Sequence, residues 1–338
     1  MTIFIVGGSN SLMKDGWVTS LTRLLPSEQI TNISIGATHS MTGLFRVMTR
    51  NDLQPGDTIV WEYALNEINH NQRGHRTEDL LRFLEHLLRL CSRRGINFAA
   101  AVFTPRQIEA LPARPAYYDA LLQLFAHYGV PSFDVSPRWC AANRASRFPV
   151  KLFKDAAHYV LEPRLMRFIA EGVIDAIARA CVPAEVTPRY TGATVPRLVT
   201  PQDGVPFRNT ILDLTLAEVP SASFTLSQDG HILGFFALCP PGLQTGLRLT
   251  LANGQTGGRW IRISTTPEGN YERPQFRAFS LLQADGAAWR CTRGDRLEVR
   301  PAEGTGRYYA EFELRAHLSA ISRPFQPSFA GFLLEVAE

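Results

Sequence analysis

The pattern of apolar and polar positions divides the chain into two halves with different periods. In the first half, short apolar runs alternate with amphipathic stretches. TIFIV (2–6), ITNISI (30–35), DTIVWEYA (57–64), INFAAAVF (96–103) and the shorter VPSFDV (130–135) read as strands. The recurrence of Leu80, Leu81, Phe83, Leu84, Leu87, Leu88 and Cys91 predicts a helix over 77–94. Thr77 is its expected cap, Glu78 and Asp79 sit at the positive end of its dipole, and Arg93, Arg94 and Gly95 mark its stop. A last helix is predicted from Pro163, with Leu165, Met166, Ile169, Val173, Ile174 and Ile177 on one side, closing near Cys181. Repeated strand, helix, strand order predicts a parallel sheet covered by helices on both faces.

The second half loses the helical period. A stretch rich in Pro, Thr and Gly over 187–206 reads as a linker. Beyond it, TILDLTL, ASFTLSQ, HILGFFAL, LRLTLAN, RWIRIST, FRAFSLL, DRLEVRP, RYYAEFELR and GFLLEVA are short strand signals separated by turn residues. Leu247, Leu249 and Leu251 alternate with Arg248 and Thr250, as a strand with one buried face requires. The prediction is an α/β domain over 1–186, a linker over 187–206 and an antiparallel β-sandwich over 207–338, with a barrel as the alternative closure. A chain of 338 residues is long enough for each part to bury its own core.

Composition narrows the class of function. With 45% hydrophobic and 20% charged residues, the chain reads as globular and not as disordered or fibrous protein. Its longest apolar runs fall short of the roughly 20 residues a membrane-spanning helix needs. The net charge of +4 is scattered, which is compatible with an anionic substrate but lacks the concentrated basic patch that nucleic-acid binding calls for. Cys91, Cys140, Cys181, Cys239 and Cys291 are widely spaced and odd in number, so buried thiols are expected in place of a disulfide framework or a zinc site. The first strand signal starts at Thr2, leaving no room for a secretory leader, and a cytoplasmic location is the expectation.

In a parallel sheet, functional groups gather in the loops after the strands. The predicted strand ends carry GGSNS, GATHS and ALNEIN, and a later loop carries FKDAAHY. These are the parts of an ester-cleaving site. A serine hydroxyl needs a base such as imidazole, which in turn needs a carboxylate to fix its tautomer. Ser9, His158 and Asp155 can fill these roles, with Ser11 as the rival nucleophile. The amides of Ser9 and Gly36 and the side chain of Asn66 are candidate oxyanion donors. Singly, each has a plainer reading as a turn residue, a conformational glycine or a helix-start aspartate.

Together and in this order, the blocks resemble the SGNH (GDSL-type) hydrolase family over residues 2–180. Each block supplies one member of its Ser, Gly, Asn, His set: Ser9 in GGSNS, Gly36 in SIGATHS, Asn66 in LNEIN, and His158 with Asp155 in DAAH. The resemblance implies a flavodoxin-like three-layer fold and esterase or acyl-transfer activity. Two departures stand out: the family's Gly-Asp-Ser is Gly7-Gly8-Ser9 here, and its Gly-x-Asn-Asp is Ala64-Leu65-Asn66-Glu67.

The favoured expectation is removal of a small acyl group from a carbohydrate through an acyl-enzyme, without metal or organic cofactor. O-acetyl transfer to a polysaccharide and non-catalytic glycan binding are the alternatives. His39, His70 and His75 form no metal-ligand pattern and read as solvated loop residues. Glu62 and Glu67 read as polar rim residues in preference to a glycosidase pair. Trp260, Tyr271, Trp289, Tyr308 and Tyr309 are candidates for stacking on sugar rings, with sandwich core as the plainer reading.

Overall fold

The computed structural model describes the chain except residues 218–221, 241–244, 253–258, 266–271, 283–287, 303, 310–316, 322 and 325–327. The chain divides into two units, 1–72 with 76–192 and 73–75 with 193–338.

The first unit runs β1 (Thr2–Gly7), α1 (Trp17–Leu24), β2 (Gln29–Asn32), α2 (Ser40–Met48), β3 (Thr58–Glu62), α3 (Ala64–Gln72), α4 (Thr77–Arg94), β4 (Asn97–Val102), α5 (Arg106–Glu109), α6 (Ala116–His127), β5 (Ser132–Asp134), α7 (Val135–Asn143) and α8 (Pro163–Ile177). The five strands pair in parallel in the order β2-β1-β3-β4-β5. This is the flavodoxin-like winding, whose order reverses between β1 and β3, and ligands of such sheets bind beyond the strand ends at that reversal.

The central strands can be apolar throughout because helices cover both of their faces. Ile3, Ile5, Val60, Ala99 and Ala101 pack with Trp17 and Leu21 of α1 and Leu165, Ile169 and Val173 of α8 in one buried cluster. Gly172 on α8 lies flat against the Phe133 ring, so close that an added Cβ would come within 2.1 Å of it.

Helix ends show where local chemistry was misread. Thr77 is the first residue of α4 and not its cap; Arg76 holds that position, its side chain bonded to Asp79 and not to the helix-end amides. The Thr77 hydroxyl accepts from Asn71 Nδ2 at 3.2 Å, so it is occupied elsewhere. Gly95 does end α4, in the left-handed conformation with φ 64°. Helix α8 stops at Ile177, and the Cys181 carbonyl beyond it accepts the Phe98 amide of β4.

In the second unit, strands Gln275–Ser280, Gly230–Cys239, Ser328–Ala337 and Thr194–Val199 form one antiparallel sheet, which Trp289–Cys291 joins. Strands Arg259–Ser264, Thr245–Ala252, Arg296–Pro301 and Ala222–Thr225 form a second. Phe235, Ala237, Phe332 and Leu334 of the first sheet share a buried cluster with Leu247, Leu249, Leu251, Ile261 and Val299 of the second. Two sheets closed over one core make a β-sandwich.

Residues 187–206, read as a linker, carry regular structure. The amides of Arg189, Tyr190 and Thr191 donate to the Glu85 carboxylate of α4 at 2.8, 2.7 and 2.7 Å. Thr194–Val199 is an edge strand, a position that tolerates Pro196, with Val195 and Val199 packed on the sandwich core. Composition signals turns, but it does not reveal that a carboxylate waits for those amides. Among the described residues no helix is long and apolar enough to cross a membrane. Of the five thiols, Cys91, Cys239 and Cys291 are buried, whereas Cys140 and Cys181 are half-buried.

The Gly172–Phe133 contact gives a test of the packing. Gly172→Ala is expected to cost about 1–3 kcal/mol in urea unfolding, with part of the loss recovered when Phe133→Leu is added to the same chain.

Candidate active site

The chain leaves the sheet at Gly8, directly after the Gly7–Glu62 pair of β1 and β3. The Gly8 amide is shared between the Glu62 carbonyl at 3.2 Å and the Glu62 Oε2 at 3.1 Å. Residues 9–11 then form a single tight turn, closed by Ser11 N–H to Gly8 O and Leu12 N–H to Ser9 O. Ser9 thus stands, half-buried, at the reversal point of the sheet.

A loop from 147 to 149 residues further along meets it there. Ser9 Oγ lies 2.8 Å from His158 Nε2, and His158 Nδ1 lies 2.8 and 3.0 Å from the two Asp155 oxygens. Asp155 Oδ1 also accepts the amides of Ala157 and His158 at 2.8 and 2.9 Å, so the loop curls round its own carboxylate. Burial alone would raise the Asp155 carboxyl, but these amides and the imidazole outweigh it and hold the group below the usual carboxylate range. With Asp155 accepting from Nδ1, Nε2 is left as the acceptor for the serine proton.

Two residues that sequence reasoning passed over hold this loop. Asn10, 1% exposed, donates through Nδ2 to the Ala157 carbonyl at 2.9 Å and accepts the Tyr159 amide at 3.2 Å, bracketing His158 on both sides. Tyr159 accepts the Thr104 amide at 3.1 Å, and its ring stacks on Phe103 and Phe148. An amide side chain next to the serine in GGSNS was the available signal for Asn10.

Gly36 and Asn66 flank the same turn. The segment before Gly36 runs along β1 through Ile33 N–H to Ile5 O and Ile35 N–H to Gly7 O, and a Cβ at Gly36 would lie 3.2 Å from Ser9 Cβ. Asn66, in the first turn of α3, lies against Gly8: a Cβ there would fall 2.2 Å from Asn66 Oδ1. Only glycine fits at position 8 while Asn66 stays where it is. Ser9, Gly36, Asn66, Asp155 and His158 are therefore brought together. Ser11, the rival nucleophile, is 2% exposed and donates its hydroxyl to Glu62 Oε2 at 2.6 Å, facing the interior.

Glu62 and Glu67 are not rim residues; both are fully buried. Burial pushes Glu62 up to about 8 against the bonds from Ser11 and Gly8, and Glu67 up to about 7 against bonds from Ser40 and Tyr117. Glu67 accepts the Ser40 amide at 2.9 Å and the Tyr117 hydroxyl, tying α3 to the start of α2 and to α6. Glu67 thus braces the helix that carries Asn66. His39, His70 and His75 are likewise buried, not solvated. His39 begins α2, where its Nδ1 accepts the Met41 amide, and its ring packs edge-on to His70 and against Phe83.

Of the second unit's aromatics, Trp289 and Tyr308 are buried and Tyr309 is half-buried, its amide and carbonyl bonded to strand Arg259–Ser264. Trp260 is 52% exposed, but the guanidinium groups of Arg248 and Arg262 lie 4.6 and 5.8 Å from its ring centre. Tyr271 lies outside the described residues.

No family model matches the chain, and no curated protein does so. Among solved structures, it is similar to a two-domain esterase (CEX) active on acetylated mannans, co-crystallised with mannopentaose. The TM-score is 0.63 at 11% identity, covering 100% of this chain and 91% of that one. A second structure of a two-domain esterase (CEX) active on acetylated mannans gives 0.62 at 12% identity, covering 100% and 92%. A member of the lipolytic G-D-S-L family from Veillonella parvula matches 53% of this chain and 99% of its own, at 15% identity and a TM-score of 0.42. The fold is thus similar to that of a two-domain esterase, with a flavodoxin-like first unit followed by a β-rich second unit.

The buried acids set a pH dependence. An unfolded chain releases these protons near the ordinary 4.5, whereas the folded one keeps them to about 7 and about 8. The native state therefore binds more protons in that window, and stability falls as pH rises through it, by up to about 1.4 kcal/mol per pH unit for each group. Urea unfolding at pH 5 and pH 8 is expected to show the loss, and Glu67→Gln to reduce it.

Proposed function

We propose that the protein is a serine ester hydrolase that releases acetyl groups from an acetylated polysaccharide, with Ser9 as nucleophile, His158 as base and Asp155 as its partner. The observation that carries this reading is the continuous chain of short contacts from Ser9 Oγ through His158 to Asp155. Nothing in strand packing or helix capping calls for these three side chains to meet.

In the first step Ser9 Oγ bonds to the ester carbonyl carbon as its proton passes to His158 Nε2, and Asp155 steadies the imidazolium. The carbonyl oxygen becomes an oxyanion, for which the amides of Ser9 and Gly36 and the Asn66 side chain are the donors. The tetrahedral centre collapses, His158 gives its proton to the departing sugar hydroxyl, and an acetyl-serine remains. Water then attacks that ester, His158 takes the water's proton, and acetate leaves as Ser9 regains its hydrogen. The His158 and Asp155 side chains are 31% and 49% exposed, so the imidazole is open to water.

The polysaccharide class rests on the esterase active on acetylated mannans, whose two-domain fold this chain shares along its whole length. Acetylated mannan is accordingly the expected substrate.

A fluorophosphonate probe is expected to add covalently to Ser9, located by mass spectrometry. Ser9→Ala should lower kcat for acetate release from acetylated mannan by about 10⁴-fold or more, and Asn66→Ala by about 10²- to 10³-fold. Undiminished turnover in Ser9→Ala would overturn the mechanism. Acetate release from acetylated xylan at a rate above that from mannan would overturn the substrate assignment.

A further inference from the structure

Beneath the turn that carries Ser9 lies a carboxyl group that the acyl-transfer steps do not use. Glu62 closes β3, is wholly buried, and sits at the sheet reversal. Its Oε2 takes two hydrogen bonds from the turn itself, from Ser11 Oγ at 2.6 Å and from the Gly8 amide at 3.1 Å. These donors stand on either side of Ser9. The fit is tight enough that a Cβ at Gly7 would lie 2.8 Å from both Glu62 Cβ and Oε2.

Resting on the reading of Ser9 as nucleophile, we propose that Glu62 is its positioning residue: the carboxyl clamps Gly8 and Ser11 and so fixes the turn that aims the Ser9 hydroxyl and amide. A neutral carboxyl does this work. Among the described residues no cation is paired with it, and its second oxygen, Oε1, is buried without a hydrogen-bond partner. An ionised Glu62 would leave that oxygen as an unsolvated anion, so the proton belongs on Oε1 while Oε2 accepts. None of the titratable groups around it pairs with it among the described residues. Tyr63 follows it in the chain and Tyr159 faces it from the loop after His158, and burial holds both phenols above their ordinary range. Arg46 of α2 acts on Tyr63, and burial lowers that guanidinium to about 10. Glu67, the other buried acid of this region, also acts on Tyr63.

Neutrality bears directly on catalysis. The Gly8 amide adjoins the Ser9 amide, which is one of the proposed oxyanion donors. A negative charge bonded to the first, on a carboxyl that is itself shut off from water, would oppose the negative charge gathering at the second. Activity should therefore decline as Glu62 loses its proton, near pH 8. Glutamine keeps an oxygen to accept both bonds and cannot ionise.

The test is the pH profile of kcat/KM on a soluble acetyl ester for the full chain and its Glu62→Gln, Glu62→Ala and Ser11→Ala variants. Wild type is expected to lose about tenfold or more above pH 8. Glu62→Gln should stay within about threefold of wild type at pH 6.5 and hold that level through pH 9. Glu62→Ala should lose about 30-fold or more in kcat with KM within about twofold, and Ser11→Ala, which removes one anchor, about three- to tenfold. If Glu62→Ala does not fold, Glu62→Gln and Ser11→Ala still decide the matter. An alkaline limb in Glu62→Gln that coincides with wild type's, or an unaltered kcat in Ser11→Ala, overturns the role of Glu62 while fluorophosphonate labelling at Ser9 leaves the esterase reading standing. Failure of wild type to label at Ser9 overturns both.

Discussion

The site depends on holding two distant pieces of chain in register: the turn after β1 and the loop before α8, 149 residues apart at Ser9 and His158. One hydroxyl–imidazole bond does not secure such a junction. Asn10 adds two buried bonds in parallel, one on each side of His158, and Tyr159 fastens the far end of the loop to the segment after β4. Losing either partner would leave buried polar groups unpaired, which costs more than the bond itself contributes. The loop's position is thereby coupled to the sheet, and the Ser9–His158 contact is a consequence of that coupling.

Three buried acids in the first unit show how environment decides the charge of a carboxyl group. Glu85 receives three amides and the Tyr128 hydroxyl; burial would raise it, but these donors hold it below its ordinary range. Glu62 and Glu67 receive fewer donors and are pushed up by burial. The donor count separates them, because none of the three relies on a cation for its place. Glu85 serves as an anchor for passing chain, whereas the other two brace the elements that bear Ser9 and Asn66.

Much of this was legible in the sequence because it follows from period and order. Short apolar runs gave the five parallel strands, Gly95 gave the end of α4, and three short blocks at strand ends with a fourth in a later loop gave the residues that the fold brings together. What escaped notice was partner identity. A glutamate at the end of TIVWE looks like a group turning toward solvent, and only the tertiary fold reveals the serine and glycine donors that let it stay inside. His39 looks like a loop residue until the ring of His70 and the side chain of Phe83 close over it. Thr77 carries the right chemistry for a cap, yet Asn71 engages its hydroxyl. Residues 189–191 read as a spacer because nothing local announces Glu85, roughly a hundred positions earlier.

The contact between Gly8 and Asn66 ties two parts of the site together. A side chain at position 8 would place its first carbon 2.2 Å from Asn66 Oδ1, so the Asn66 amide must turn aside before that position can change. The helix that carries this asparagine is held in place next door, through the bonds that Glu67 accepts from Ser40 and Tyr117. A change at position 8 is thus felt first at the Asn66 side chain, while the backbone beneath that asparagine stays braced.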